Sequence, residues 1–222
     1  AETNLLRNEE RTFEEFISPE VYNPIFAECS KKANRGGNFR SFAKTYVSAR
    51  FPSGWTDRYE KSALSFVTNW PYAKGNTTEA NIRELLWQLG LDVQNVNKVK
   101  NSTRVEHFKA TVKSSPRNQA DYQHPISAFG TQIKNPINVL VLYGKNDPTE
   151  IVTKVNSMNL GENTIVFIDY PLALADRRAV AEYFHKSTSG QNSFLLIDQV
   201  LAVFLALKTS ADHQFSICQF LF

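Results

Sequence analysis

Along this chain the hydrophobic pattern changes once, from a period near 3.6 residues to short continuous apolar runs. In the first third, Leu6, Phe13, Phe16 and Ile17 recur at near-helical spacing and predict a helix over 7–17. Ser18-Pro19-Glu20 restarts a helix with a capping hydroxyl, a proline at the first helical position and an acid in the first turn. That helix runs to about Lys32 and stops before Asn34-Arg35-Gly36-Gly37. Two more helices are predicted over 39–51 and 56–69, ended by Pro52-Ser53-Gly54 and Asn69-Trp70-Pro71.

Thr77-Thr78-Glu79 opens the next helix, whose Ile82, Leu85, Leu86 and Leu89 form one stripe, and Gly90 ends it. An extended stretch begins at Leu91 and Val93. Phe108, Ala110 and Val112 then alternate with Lys109, Thr111 and Lys113, the period of a half-buried strand. From 114 to 135 no period survives, which reads as a long loop. The last third holds three apolar runs, 137–143, 164–168 and 194–197, alternating with helices over 149–158, 174–185 and 199–207. Strands without alternation are buried on both faces, and their alternation with helices implies crossovers into a parallel sheet. The expected fold is α/β: a three-layer domain with a mostly parallel sheet over 75–222, preceded by a small helical subdomain over 1–72.

Composition is ordinary for a globular chain, with 42% hydrophobic and 21% charged residues, which excludes a disordered or fibrous protein. No stretch approaches the ~18 apolar residues of a membrane span. Cys29 and Cys218 are too few and too scattered for a disulfide scaffold or a zinc site, and no segment has the pattern of a secretory leader. A cytoplasmic protein is expected.

Charge changes the picture more. Residues 1–30 carry two basic residues against seven acids, 31–117 sixteen against six, and 118–222 seven against nine. The middle block is a candidate footprint for DNA or RNA phosphates, with Lys31, Lys32, Arg35, Arg40, Lys44 and Arg50 as its candidate contacts. The plainer account is a solvated surface. The aromatic residues interleaved with it, Phe39, Phe42, Tyr46, Phe51, Trp55, Tyr59, Phe66 and Trp70, are either a base-stacking surface or the core of a helical bundle.

Motifs for chemistry are few. There is no phosphate-cradling G-x-x-x-x-G-K-[ST], no G-x-G-x-x-G, no H-E-x-x-H and no G-x-S-x-G. His107, His124, His185 and His213 have no i, i+4 partner among them, so no metal-ligand set is read. Asp147, Asp169 and Asp198 each follow a predicted strand, where ligands of open α/β sheets bind, and are the candidate catalytic residues. Their oxygens would suit Mg²⁺. Asp is equally at home there as a helix cap, and none of the three sits in a D-x-D pair.

Helix, strand, strand over 79–112 is also how restriction-endonuclease-like domains begin. Those domains carry an acid on one strand and an acid-x-Lys on the next. Here Val105-Glu106-His107-Phe108-Lys109 resembles that pattern, but Glu106 and Lys109 are one residue too far apart and face opposite sides of a strand. A nuclease site of that descent would be decayed.

A second resemblance covers roughly 79–222. Asp121-Tyr122-Gln123-His124-Pro125-Ile126-Ser127-Ala128-Phe129-Gly130 is followed by Val139-Leu140-Val141-Leu142, Ile165-Val166-Phe167-Ile168-Asp169, Arg177-Arg178 and Phe194-Leu195-Leu196-Ile197-Asp198-Gln199-Val200-Leu201. That order resembles an α/β region upstream of the P-loop ATPase module in large bacterial multidomain proteins of the STAND type. The resemblance implies signal handling around an ATPase switch, with the ATPase module beyond Phe222. The apolar stretch 215–222 and the start at Ala1 without Met agree with a piece of a longer protein, whose further domains are the expected partners. The expected function is therefore a non-catalytic regulatory or interaction domain without a cofactor of its own, with nucleic acid as a further candidate partner. The alternative is a Mg²⁺-dependent nuclease-like phosphodiester enzyme.

Overall fold

The computed structural model describes residues 19–33, 41–43, 68–71, 77–89, 91–102, 104–113, 135–160, 164–187 and 194–207. The helices expected over 7–17 and 39–51, nearly all of that over 56–69, and the loop expected over 114–134 lie largely or wholly outside these residues.

Among the described residues ten elements follow in order: α1 (Pro19–Ala33), α2 (Glu79–Gln88), β1 (Val93–Ser102), β2 (Val105–Val112), β3 (Ile137–Tyr143), α3 (Pro148–Ser157), β4 (Thr164–Asp169), α4 (Leu174–Ser187), β5 (Phe194–Ile197) and α5 (Gln199–Leu207). The five strands lie across one sheet in chain order. β3, β4 and β5 are parallel neighbours, as their apolar runs predict. β1 and β2 add two antiparallel junctions at one side, so the sheet is mixed. The pattern of β3 could not report this, because continuous burial reflects cover on both faces and carries no sign of strand direction.

Alternate residues of the strands divide between two cores. Phe108, Val141, Phe167 and Ile197 face one cluster, shared with Ile82 and Leu86 of α2, Val200 and Val203 of α5, and Tyr22 and Ile25 of α1. Leu140, Leu142, Val166, Ile168 and Leu196 face the other, with Ile151 and Val155 of α3 and Val180 of α4. The described residues of the first third join the first cluster directly. Trp70 meets the Phe167 ring edge-on at 5.4 Å, and Phe42 packs against the same core. These two aromatics are core, not a platform for bases.

Local signals explain the helix starts. Thr78 caps α2, its hydroxyl accepting from the Asn81 amide at 3.2 Å while Asn81 Oδ1 accepts from the Thr78 amide. Gly144, at φ +76°, takes the chain out of β3 in a conformation that a side chain resists. At the side of the sheet, α2 blunts the edge of β1: Glu79 Oε1 accepts from the Lys98 amide at 2.9 Å, and Arg83 donates to the Val93 carbonyl at 3.2 Å. Exposed strand edges invite pairing with other chains, and side chains laid along them prevent it. Among the described residues no helix is long and apolar enough to cross a membrane.

Candidate functional site

The carboxyl ends of β3 and β4 and the start of α5 meet on the first-cluster face of the sheet. Tyr143, the last residue of β3, is registered opposite Asp169, the last of β4. Glu106 reaches the same end from the antiparallel β2, and Lys98 from β1. Both share the face of Phe108: Glu106 is two residues from it on β2, and Lys98 is registered directly opposite it on β1.

Glu106 is buried, with its side chain 4% exposed, and its charge is met on the neighbouring strand: Lys98 Nζ lies 2.8 Å from Oε1. The Tyr143 hydroxyl donates to Oε2. With that proton committed, the Thr77 hydroxyl donates to the Tyr143 oxygen. Lys98 Nζ also donates to the Thr77 carbonyl at 3.2 Å and sits 5.5 Å from the centre of the Phe108 ring. Burial, and then the hydrogen bond to Glu106, hold the Tyr143 phenol far above its ordinary range. It stays protonated as a donor. The circuit is closed, and what it does is tie the start of α2 to three strands. A buried charge that has its partner and its hydrogen bonds is retained without needing a ligand.

Asp169 behaves differently. It is half-buried, receives Gln199 Nε2 at 3.3 Å, and is pushed up to about 7 by burial, which the Gln199 hydrogen bond only partly offsets. A carboxyl poised near neutrality can exchange a proton at physiological pH, which marks functional sites more often than structural ones.

The other two are structural. Asp147 is the exposed cap of α3: its Oδ1 accepts from the Glu150 amide at 2.9 Å, Glu150 returns the bond at 3.2 Å, and Pro148 follows it in the first turn. Asp147→Ala should cost about 1 kcal/mol, the usual worth of such a cap, read as a small shift in a urea-denaturation midpoint. Asp198 is fully buried, pairs with Arg177 of α4, and accepts from the Leu172 and Leu201 amides at 2.7 and 2.9 Å. The shared position after a strand thus brings the three aspartates to different tasks.

The remaining sequence candidates distribute as follows. Lys109 points away from Glu106, as its spacing predicts, and is exposed. His107 is buried on the opposite face, with Nε2 2.9 Å from Asn138 Oδ1. Lys31 is exposed and pairs with Glu28 at 2.9 Å on α1, which also carries Lys32. Arg35, Arg40, Lys44 and Arg50 lie outside the described residues, as do His124 and His213, while His185 falls in α4. Cys29 is buried, and burial pushes its thiol up to about 12, leaving it unreactive at neutral pH.

Lys98, Tyr143, Thr77 and Gln199 did not stand out in the sequence. Tyr143 carried a faint signal, as the one polar-tipped side chain closing an aliphatic strand. Lys98 carried none, one lysine in an Asn- and Lys-rich stretch.

For Mg²⁺ the residues present do not fit. Lys98 and Tyr143 engage both oxygens of Glu106, β3 supplies no carboxylate, and Asp169 is drawn toward its protonated form. Among the described residues no group of three or more His, Cys, Asp or Glu could hold a metal ion. Compared with known protein families, with curated proteins and with solved structures, the chain matches none of them.

Proposed function

We propose that this chain is a non-catalytic regulatory or interaction domain of a larger bacterial cytoplasmic protein, with a three-layer α/β body over 75–222 and a helical subdomain over 1–72. The observation that carries this reading is the internal use of the strand-end acids. Asp147 caps a helix, Asp198 neutralises Arg177, and Glu106 is held by Lys98 and Tyr143. Helices packed against both faces of the sheet support the three-layer description. The resemblance to the region upstream of the ATPase module in STAND-type proteins supports a role in passing a signal to further domains beyond Phe222.

A nuclease of restriction-endonuclease-like descent is the second reading. It is favoured by one feature: α2, β1 and β2 follow the helix, strand, strand order, with an acid on β2. Against it stands β3, Ile137–Tyr143, which offers neither an acid nor a lysine.

One experiment separates the two. Supercoiled plasmid incubated with the protein and Mg²⁺ or Mn²⁺ should stay intact, and cleavage that disappears in Asp169→Asn would overturn the regulatory reading. The same preparation tests the nucleic-acid partner by fluorescence anisotropy. If about four of Lys31, Lys32, Arg35, Arg40, Lys44 and Arg50 meet phosphates, raising salt from about 50 to 200 mM should weaken DNA binding on the order of a hundredfold. Charge reversal at Arg40 and Lys44 should reduce both affinity and slope. Salt-insensitive binding, or none at low salt, would leave the basic block as a solvated surface.

A further inference from the structure

On the face of the sheet opposite the Glu106 circuit, β2, β3 and the turn after α3 enclose an open cleft of about 360 Å³. His107 and Lys109 line it from β2, two residues apart and so on one face, and Asn138 lines it from β3, directly across from Lys109. Pro136, Met158 and Leu160 form its apolar wall.

The polar side of the cleft presents the Lys109 ammonium and the Asn138 amide, beside His107. Asn138 is buried, and its amide orientation follows from its partners: Nδ2 donates to the Leu160 carbonyl at 3.0 Å, so Oδ1 is the acceptor toward His107. His107 therefore carries its proton on Nε2. Nδ2 keeps a second N–H beyond its bond to Leu160. The Lys109 side chain is exposed and, among the described residues, its ammonium has no hydrogen bond or ion pair, whereas Lys113 on the same segment pairs with Asp92 and Lys98 with Glu106. No described carboxylate lines the cleft. Asn159, in the turn that borders it, sits at φ +55°, a conformation tolerated by Asn better than by most residues.

A concave site of this size, with a cation that no described carboxylate neutralises, a fixed amide donor and an apolar wall, has the composition of a small-molecule pocket for an anion. We propose that this cleft binds a small molecule carrying a carboxylate or phosphate oxyanion on a short apolar body. The oxyanion takes the Lys109 ammonium and the free N–H of Asn138, and the apolar body lies against Pro136, Met158 and Leu160. Charge-assisted hydrogen bonds of this kind are the strong ones, and they set the preference for an anion over a neutral analogue. This goes beyond the regulatory reading, which names no ligand, and does not depend on it.

The test uses the whole chain and three probes that share one butyl group: pentanoate, n-butyl phosphate and the uncharged 1-butanol. In ¹H–¹⁵N NMR titrations to about 20 mM, enough to saturate a millimolar site, at least one anion should shift the amides of His107, Lys109, Asn138 and Leu160 saturably. Which anion does so tells carboxylate from phosphate. Butanol should not saturate. Lys109→Gln should weaken the binding about tenfold or more, and Lys113→Gln should leave it unchanged. Absence of saturation by both anions, equal binding by Lys109→Gln, or shifts confined to another face would overturn the proposal.

Discussion

Asp198→Asn should cost the folded protein about 3–5 kcal/mol, the usual penalty for leaving one member of a buried ion pair without its partner. The Arg177 side chain is 4% exposed and that of Asp198 not at all, so neither can turn to water when the other is lost. Burial already pulls the Arg177 pKa below its ordinary value, and the neighbouring Tyr22 hydroxyl only partly opposes this. Asn keeps one oxygen to accept from the Leu201 amide, so the start of α5 remains capped. That same oxygen accepts from Arg177, so the new NH₂ takes the other place and faces the Leu172 amide, itself a donor, while the guanidinium loses its counter-charge. Domains of this size are stable by about 5–15 kcal/mol, so the loss should be a large part of the whole and plain in a urea-denaturation midpoint. Arg177→Leu placed on top of Asp198→Asn should restore part of it by removing the stranded charge. A single-variant loss below about 1 kcal/mol, no more than the exposed cap Asp147 is worth, would mean that the pair is not buried as described.

Asp169→Asn should have the opposite sign, and only above acid pH. Burial raises the Asp169 carboxyl to about 7, whereas an aspartate in an unfolded chain titrates near 3.9. Between these values the folded protein holds a proton that the unfolded chain has released. Stability from this group is therefore fully present below about pH 4, falls as pH rises through the window, and is gone above about pH 7. A shift of about three units sets an upper limit of about 4 kcal/mol, and partial exposure reduces it to about 1–3 kcal/mol. Asn cannot ionise, and it still offers an oxygen to Gln199 Nε2. The Gln199 oxygen on the same side chain is buried and, among the described residues, has no hydrogen-bond partner. The variant should match the parent near pH 4 and exceed it near pH 8 in urea titrations at matched ionic strength. A constant difference across that range would show that Asp169 is ionised throughout.

The two substitutions also bear on what the strand ends are for. If Asp198→Asn unfolds the protein and Asp169→Asn strengthens it, the first aspartate serves the fold. The second is then maintained at a cost to stability, the usual mark of a group kept for a task.

How much of this was legible in the chain differs from residue to residue. The runs 137–143 and 194–197 and the helix 199–207 match the observed elements, because burial on both faces writes an aliphatic run into the sequence. The helix start at Thr78 was equally plain, since a cap closes within a few residues and needs nothing from the rest of the protein, while the helix read from 149 begins one residue earlier, at Pro148 behind the Asp147 cap. β1 was barely visible. Val-Gln-Asn-Val-Asn-Lys-Val-Lys-Asn-Ser has little strand character of its own, and its ten residues are extended by pairing with β2 and by α2 side chains along its edge. The site was decided by tertiary structure for the same reason. Asp147, Asp169 and Asp198 all lie at or just past the end of a strand, so local sequence treats them alike. Only the fold brings Arg177 to Asp198 from 21 residues away, Gln199 to Asp169 from 30, and Lys98 rather than Lys109 to Glu106. Local chemistry determines where an element begins, because its hydrogen bonds span a few residues. What a buried charge does is determined by whichever group the packing of distant elements places opposite it, and no short stretch of sequence contains that group.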